Sequence, residues 1–187
     1  FAQEQNLEIV DPSYFWTKDR WEGLQKLKQK EILNRSKKTS QNTLPEAYEI
    51  DQKFGTVGAV ALDKAGNITA GTSTGGMTNK KYGRIGDAPI IGAGTYANSQ
   101  VGISATGWGE YFIRSTAART IAAKMEYQNK DLKTATQETI DEIEKMGGDG
   151  GFIALDKDGN LAMPFNTAGM YRGAITDNGE IFIEIYK

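Results

Sequence analysis

The sequence predicts a mixed α/β fold, a layered sandwich whose helices cover sheet faces. Three observations carry this. Short strands of small residues begin at Thr56, two helical patterns run from about Trp108 to Met146, and strand patterns return between Gly151 and Ile185. Strands, then a helix pair, then strands are best packed as helices laid on sheets. The phrase Ala61-Leu62-Asp63-Lys64-Ala65-Gly66-Asn67 also returns as Ala154-Leu155-Asp156-Lys157-Asp158-Gly159-Asn160. Two hairpins thus share one turn chemistry, and two copies do not amount to a solenoid.

Taken in order, Asp11-Pro12-Ser13 reads as a helix entry, and Tyr14, Trp16, Trp21, Leu24, Leu27 and Ile32 as the apolar side of an amphipathic helix whose aromatics pack. From about 34 to 54 the chain turns polar, through Arg35-Ser36-Lys37-Lys38-Thr39-Ser40-Gln41-Asn42 and Pro45. This segment reads as a mobile linker, because it has too little apolar content to offset the entropy of ordering it. Its charge run reads as a solvated loop, not a nucleic-acid surface. Val57, Ala59 and Ala61 then alternate with Gly58, Val60 and Leu62, a strand apolar on both faces and so expected to be buried. Asp63 to Asn67 supplies its turn and Ile68 to Ser73 its partner.

One helix is expected from about Trp108 to Tyr127, carrying Phe112, Ala118, Ile121, Ala122 and Met125. A second starts near Asp131, places Leu132, Ala135, Thr139, Ile140, Ile143 and Met146 at helical spacing, and stops at Gly147-Gly148. Strands are expected near Gly151–Ala154, Leu161–Pro164, Gly169–Ala174 and Ile181–Ile185.

The 187 residues suit one domain or a large part of one. With 22 basic and 24 acidic residues the net charge is −2, which points to neither nucleic acid nor a membrane surface as partner. No apolar run approaches the ~18 residues of a membrane helix. The opening Phe1-Ala2-Gln3-Glu4-Gln5 carries no signal-peptide pattern and does not begin with methionine, so a fragment or processed chain is expected. Cytoplasm and periplasm both fit. The chain has no histidine and no cysteine, which removes His-based acid/base chemistry, Cys nucleophiles and Cys/His metal sites from this polypeptide. No metal ligand is assigned.

Gly55-Thr56 stands where the polar linker meets the strand pattern. Cleavage of that bond would make Thr56 an N-terminal nucleophile whose own α-amine, with a reference pKa of about 7.7 to 8.0, can act as base. Three further clusters are rich in Gly, Thr and Ser. Gly71-Thr72-Ser73-Thr74-Gly75-Gly76-Met77-Thr78-Asn79-Lys80 ends the second strand with hydroxyls and with glycines that let a ligand approach backbone. Gly83-Arg84-Ile85-Gly86-Asp87-Ala88-Pro89 sets a cation and an anion three residues apart. Thr106-Gly107-Trp108-Gly109-Glu110 opens a helix, where N–H groups can face developing negative charge. Each has a plainer reading: edge hydrogen bonding for the hydroxyls, an Arg84–Asp87 ion pair, and Thr106 as an N-cap.

Together these segments resemble the plant-type asparaginase and isoaspartyl aminopeptidase family of N-terminal nucleophile hydrolases. The resemblance covers nearly all of the chain after Gly55, with Asn166-Thr167-Ala168-Gly169-Met170 matching a late family segment. Residues 1–55, including Val10-Asp11-Pro12-Ser13-Tyr14-Phe15, resemble the tail of its α subunit. The resemblance implies a four-layer αββα sandwich, incomplete on the N-terminal side here, with 1–55 as α-subunit tail and 56–187 as β subunit. It implies self-cleavage between Gly55 and Thr56, then attack by Thr56 on the side-chain amide of asparagine or a β-aspartyl dipeptide. Thr74 matches the second threonine, Arg84 the grip on the substrate α-carboxylate, and Asp87 with the Gly109 carbonyl the receiver of its α-ammonium. Thr106 and Gly107 match the oxyanion hole.

No cofactor is implied for catalysis. A structural sodium ion is, with ligands in the part of the α subunit this chain lacks. The implied partners are the rest of that subunit and a second αβ unit, giving a dimer. Trp108 lies where family members vary, and its bulk bears on substrate size. Glycosylasparaginase is the alternative activity, although Gly75 in Ser73-Thr74-Gly75-Gly76-Met77 resembles the asparaginase branch. A non-cleaving, catalytically silent binding or structural domain is the alternative of another class.

Overall fold

The computed structural model describes residues 1–37 and 55–187, which fall into two compact units: 1–37 with 77–81, and 55–76 with 82–187. In the first, Pro12–Phe15 forms a 3-10 turn capped by Asp11, whose carboxylate accepts from the Ser13 N–H at 2.8 Å. Helix α1 follows over Lys18–Lys37. It therefore runs beyond Asn34 into the start of the expected linker. The rest of that expectation, 38–54, lies outside the described residues.

The packing role expected of the aromatics does not appear. Tyr14, Trp16 and Trp21 are 74%, 58% and 49% exposed, and Ile32 is 68% exposed. The apolar residues are spaced for a stripe, but the described residues of the unit offer it no second apolar surface, and only Gly23 is buried among 1–34. Glu31 instead gathers polar partners from the 77–81 segment, accepting from Asn79 Nδ2 at 2.8 Å and from Lys81 Nζ at 2.6 Å.

The second unit opens with the antiparallel hairpin of β1 (Thr56–Leu62) and β2 (Ile68–Thr74). Its turn works as its residues suggest: Asp63 Oδ1 accepts from the N–H groups of Ala65 and Asn67, both at 2.8 Å, while Gly66 takes φ +85°. Asp156 repeats the device with Asp158 and Asn160. Strands β3 (Thr95–Ala97), β4 (Val101–Gly107), β5 (Gly150–Asp156) and β6 (Leu161–Ala162) form one antiparallel sheet in that order. A separate hairpin joins β7 (Arg172–Ile175) to β8 (Ile181–Glu184).

Neither β3 nor β4 was expected from sequence, yet β4 has five of its seven residues buried, as many as β5. The single helix expected over 108–127 is two, α2 (Gly109–Arg114) and α3 (Ala117–Gln128), broken where Thr116 adopts a left-handed conformation at φ 45°. Helix α4 (Leu132–Lys145) is entered through Asp131, which accepts from Thr134 N–H at 2.9 Å, and ends before Gly147 as its pattern predicts.

Alternation along β4 sorts its side chains between two layers. Val101, Ile103 and Ala105 pack with Phe152 and Ala154 of β5 against Phe112, Ile121, Ile140 and Ile143 of the helices, all 2% exposed or less. Gly102 and Ser104 turn the other way, toward the β1–β2 hairpin. The approach there needs small residues: a Cβ on Gly102 would stand 2.6 Å from both Val60 and Ile68, and one on Gly58 would stand 2.1 Å from Ser104 Oγ. Helices, four-stranded sheet and hairpin thus form three layers, a mixed α/β architecture as expected. Strand β1, however, is not buried on both faces. Its Val60 and Leu62 side is half-covered by the four-stranded sheet, while Val57 is 68% exposed and Ala59 and Ala61 are exposed, because none of the described residues of this unit lies on their side.

Candidate active site

The first residue of β1 pairs with the last of β2, and both are threonines. Thr56 Oγ1 donates to Thr74 Oγ1 at 3.2 Å, and Thr74 Oγ1 also accepts from Gly76 N–H at 3.0 Å, which fixes its rotamer. Thr106 belongs to the same neighbourhood by register. Gly102 lies under Val60 and Ile68, and Ser104 under Gly58 and Thr72. The next step of two residues along β4 faces Thr106 toward the level of Thr56 and Thr74. Thr106 is the penultimate strand residue, and α2 is capped by Trp108 without a side-chain cap bond, so the plainer reading of Thr106 as an N-cap is not met.

Gly107 follows at φ +149°, where a Cβ would sit 2.3 Å from the Asp149 carbonyl oxygen and 2.7 Å from Phe112. Only glycine fits this turn from strand to helix. The backbone opposite it is held by Asn166, whose Oδ1 accepts from Gly150 N–H at 2.8 Å and whose Nδ2 donates to the Gly148 carbonyl at 3.1 Å.

The second group lies on the loop before β3 and at the start of α2. Arg84 does not pair with Asp87. Its Nε and Nη2 instead donate to the two Glu110 carboxylate oxygens at 2.9 and 2.8 Å, a bidentate contact through the side edge of the guanidinium. That hydrogen bond holds the Glu110 carboxyl below its usual range. A guanidinium has five N–H donors, so the end edge made by Nη1 and Nη2 keeps donors for a second carboxylate. Gly86 leaves Nη1 uncrowded, since a Cβ there would come to 3.1 Å from it. Glu110 was only the last letter of a motif in the sequence reading. The available signal was a carboxylate one residue beyond Gly109 and a nearby arginine in need of a counter-charge.

Asp87 is 7% exposed, and its Oδ2 is buried with no hydrogen-bond partner among the described residues. Burial pushes its carboxyl up from the ordinary 3.8, against a weaker downward pull from its backbone contacts and from Arg84. Two glycines make room for the carboxylate: a Cβ on Gly94 would lie 2.5 Å from Oδ2, and one on Gly109 would lie 2.8 Å from Oδ1. Asp87 and Gly109 are therefore in contact distance, with Arg84 joined to the same turn through Glu110. An unmatched buried carboxylate beside an arginine with an unused edge is suited to a ligand carrying one positive and one negative charge. Trp108 stands between Gly107 and Gly109 in the chain, with its ring edge-to-face on Tyr111, centroids 5.1 Å apart.

The asparaginase family model matches residues 1–183. A Dictyostelium discoideum protein with the provisional name isoaspartyl peptidase/L-asparaginase is 48% identical over all of this chain and 62% of its own length. The isoaspartyl peptidases of Escherichia coli K12 and Salmonella typhimurium are 47% and 48% identical, each over 92% of this chain and over 52% and 54% of their own lengths. The chain thus spans between half and two thirds of these relatives. With the family model matched along almost its whole length, the chain belongs to the asparaginase family.

Proposed function

We propose that the protein containing this chain is a self-cleaving threonine hydrolase that releases L-aspartate from L-asparagine and β-aspartyl dipeptides. The observation that carries this reading is the Thr56–Thr74 hydroxyl contact at the first residue of β1, immediately after the Gly55-Thr56 bond. The names of the relatives, isoaspartyl peptidase and asparaginase, support the substrate class. While the bond is intact, the Thr56 nitrogen is an amide without basicity. Cleavage frees an amine that can take the hydroxyl proton.

In turnover, Thr56 Oγ1 bonds to the side-chain amide carbon, and Thr106 with Gly107 steadies the oxygen that becomes negative. The carbon–nitrogen bond then breaks, the proton passes to the leaving nitrogen, and water hydrolyses the acyl-threonine to aspartate. Arg84, through its end edge, receives the α-carboxylate. Asp87 and the Gly109 carbonyl receive the α-ammonium.

The finer architecture belongs to the same proposal. The bare side of β1, with Val57, Ala59 and Ala61, suits a fourth, helical layer that would complete an αββα sandwich of the N-terminal nucleophile type. The family pattern also supplies the remaining α segment, a dimer of αβ units and a sodium ion. Among the described residues no three acidic side chains gather as a cation cage, so the sodium enters no step here.

Intact mass and activity of the full-length protein test the reading together. Two subunits, one beginning at Thr56, and release of aspartate from either substrate are expected, with Thr56→Ala leaving one uncut, inactive chain. Cleavage at the same bond in Thr56→Ala would assign the cut to a protease. An uncut and inactive wild type would favour a silent domain.

A further inference from the structure

Between the hairpin and the four-stranded sheet lies a cluster of three hydroxyls that the mechanism above leaves unused. Thr72 Oγ1 lies 2.6 Å from Ser104 Oγ, receives Thr95 Oγ1 at 2.5 Å, and donates to the Gly94 carbonyl at 3.2 Å. Thr95 Oγ1 also reaches the Ala88 carbonyl at 3.1 Å. Three of these four contacts meet at one atom, Thr72 Oγ1, and the three hydroxyl protons can fill three of the four at any moment. Ser104 is 3% exposed, and Gly58, opposite Thr72 in the hairpin, is stripped of a side chain to admit it.

The partners of this cluster are not arbitrary. Thr72 is two residues before Thr74, and its strand partner Gly58 is two residues after Thr56. Ser104 is two residues before Thr106. Ala88 adjoins Asp87, and Gly94 N–H donates to the Asp87 carbonyl at 3.1 Å. One hydroxyl thus touches the nucleophile hairpin, the strand of the oxyanion site and the loop of the charged site. Stability alone would not require it, since matched apolar groups of similar shape can replace paired hydroxyls at little cost.

We propose that Thr72 is a positioning residue: its hydroxyl, with those of Thr95 and Ser104, sets the interval between Thr56 and the elements carrying Thr106 and Asp87. This rests on the function proposed above. Loss of the Thr72 hydroxyl frees the hairpin from the loop. The loop keeps its own ties, Gly94 N–H to Asp87 and Thr95 to Ala88, so substrate is still held while attack is misaligned. Misplacement by about 1 Å can cost on the order of 100-fold in rate.

The test is steady-state kinetics of the full-length protein on asparagine and a β-aspartyl dipeptide. Thr72→Val is expected to lower kcat by about 10-fold or more with KM within about 2-fold, and Thr72→Ser to restore most of it. Thr69→Val, on the exposed side of the same strand, should keep both constants. If Thr72→Val does not accumulate, Ser104→Ala and Thr95→Val each remove one arm and should still lower kcat selectively. Wild-type kcat in Thr72→Val, or in both arm variants, overturns the inference, as does an equal loss in Thr72→Ser. A wild type without turnover would end the proposed function and this inference with it, whereas an active wild type with an indifferent Thr72 would end only the latter.

Discussion

The two sheet layers that meet at the candidate site are built to different standards. Strand β4 is covered on both sides: Val101, Ile103 and Ala105 are sealed by helices and β5, while Gly102 and Ser104 lie under the hairpin. The β1–β2 hairpin is covered on one side only. Its other face, with Val57, Ala59, Ala61, Thr69, Gly71 and Ser73, is exposed. The proposed oxyanion residues therefore ride on a packed core strand, and the proposed nucleophile rides on a lightly held one. The difference teaches that the hairpin is placed by a few close contacts instead of by broad burial, which gives single contacts unusual leverage over Thr56.

The largest effect should come from the packed layer. Phe152 is fully buried, with its ring 5.3 Å from that of Phe112. Phe152→Ala should cost about 3 to 5 kcal/mol of stability, read from denaturant unfolding of the full-length protein. A cost below about 1 kcal/mol would mean that β5 is no more tightly packed than the hairpin, and the contrast would fail.

Next come the points of close approach. Gly58→Ala places a methyl 2.1 Å from Ser104 Oγ and 2.9 Å from its Cβ, atoms too near the backbone to swing aside. Overpacking of this kind costs about 1 to 3 kcal/mol, and here it should also slow cleavage at Gly55-Thr56. Gly71→Ala, on the other face with nothing among the described residues within 4 Å of its Cβ, is the matched comparison: normal cleavage is expected where that face is open, slowed cleavage where the proposed fourth layer covers it. Arg84→Lys keeps the charge but loses both edges of the fork. It should reduce kcat/KM by about 1.5 to 3 kcal/mol while affecting self-cleavage less, since cleavage uses no external carboxylate. Full activity on N-acetylated or α-amidated asparagine would remove the substrate assignment.

What could be read in the sequence follows the range of the interactions involved. Turns and caps are local, so the Asp63 and Asp156 turns, the Asp131 start and the Gly147 stop were all legible. Strand β4 was missed although Val101, Ile103 and Ala105 alternate with Gly102, Ser104 and Thr106. Small residues on the alternate face carry no hydrophobic signal, and their purpose lies in a hairpin some thirty to forty positions away. The same smallness misled in β1, where Gly58, Ala59 and Ala61 look apolar on both sides but do not say which side is covered. The residues of the proposed site stand in short local motifs, whereas the Arg84–Glu110 pair and the Thr72 contacts join residues more than twenty positions apart and leave no local signal.

The charged half of the site also separates by pH. The buried Asp87 carboxyl is held up from 3.8 by desolvation, and Glu110 is held down from 4.5 by Arg84. As pH falls from neutrality Asp87 should take its proton earlier than an ordinary aspartate and lose its claim on an ammonium, while Glu110 should keep its charge to lower pH than an ordinary glutamate. The stability signs are opposite too. The Glu110 contribution is present above its unfolded pKa and is lost as pH falls through its lowered folded pKa, whereas ionised Asp87 costs stability above its raised pKa. A carbon-detected NMR titration with the Asp87 midpoint at or below 3.8, or the Glu110 midpoint at or above 4.5, would contradict these shifts.

The smallest effect expected from the contacts of this chain alone is the sharpest probe of its open face. Val57 is adjacent to the proposed nucleophile but points away from the four-stranded sheet and is 68% exposed. Val57→Thr retains the β-branched shape that suits a strand and exchanges one methyl for a hydroxyl. On a face open to water the change should stay within about 0.5 kcal/mol, the usual range for surface substitutions. If a fourth layer covers this side in the full-length protein, the hydroxyl enters an apolar contact without a partner and should cost about 1 to 3 kcal/mol. The same unfolding measurement that reads Phe152→Ala reads this. A near-neutral result leaves the hairpin one-sided and removes the proposed fourth layer over Val57; a cost close to that of Gly58→Ala makes both faces of β1 structural, and the contrast between the two sheets then belongs to this chain alone and not to the whole protein.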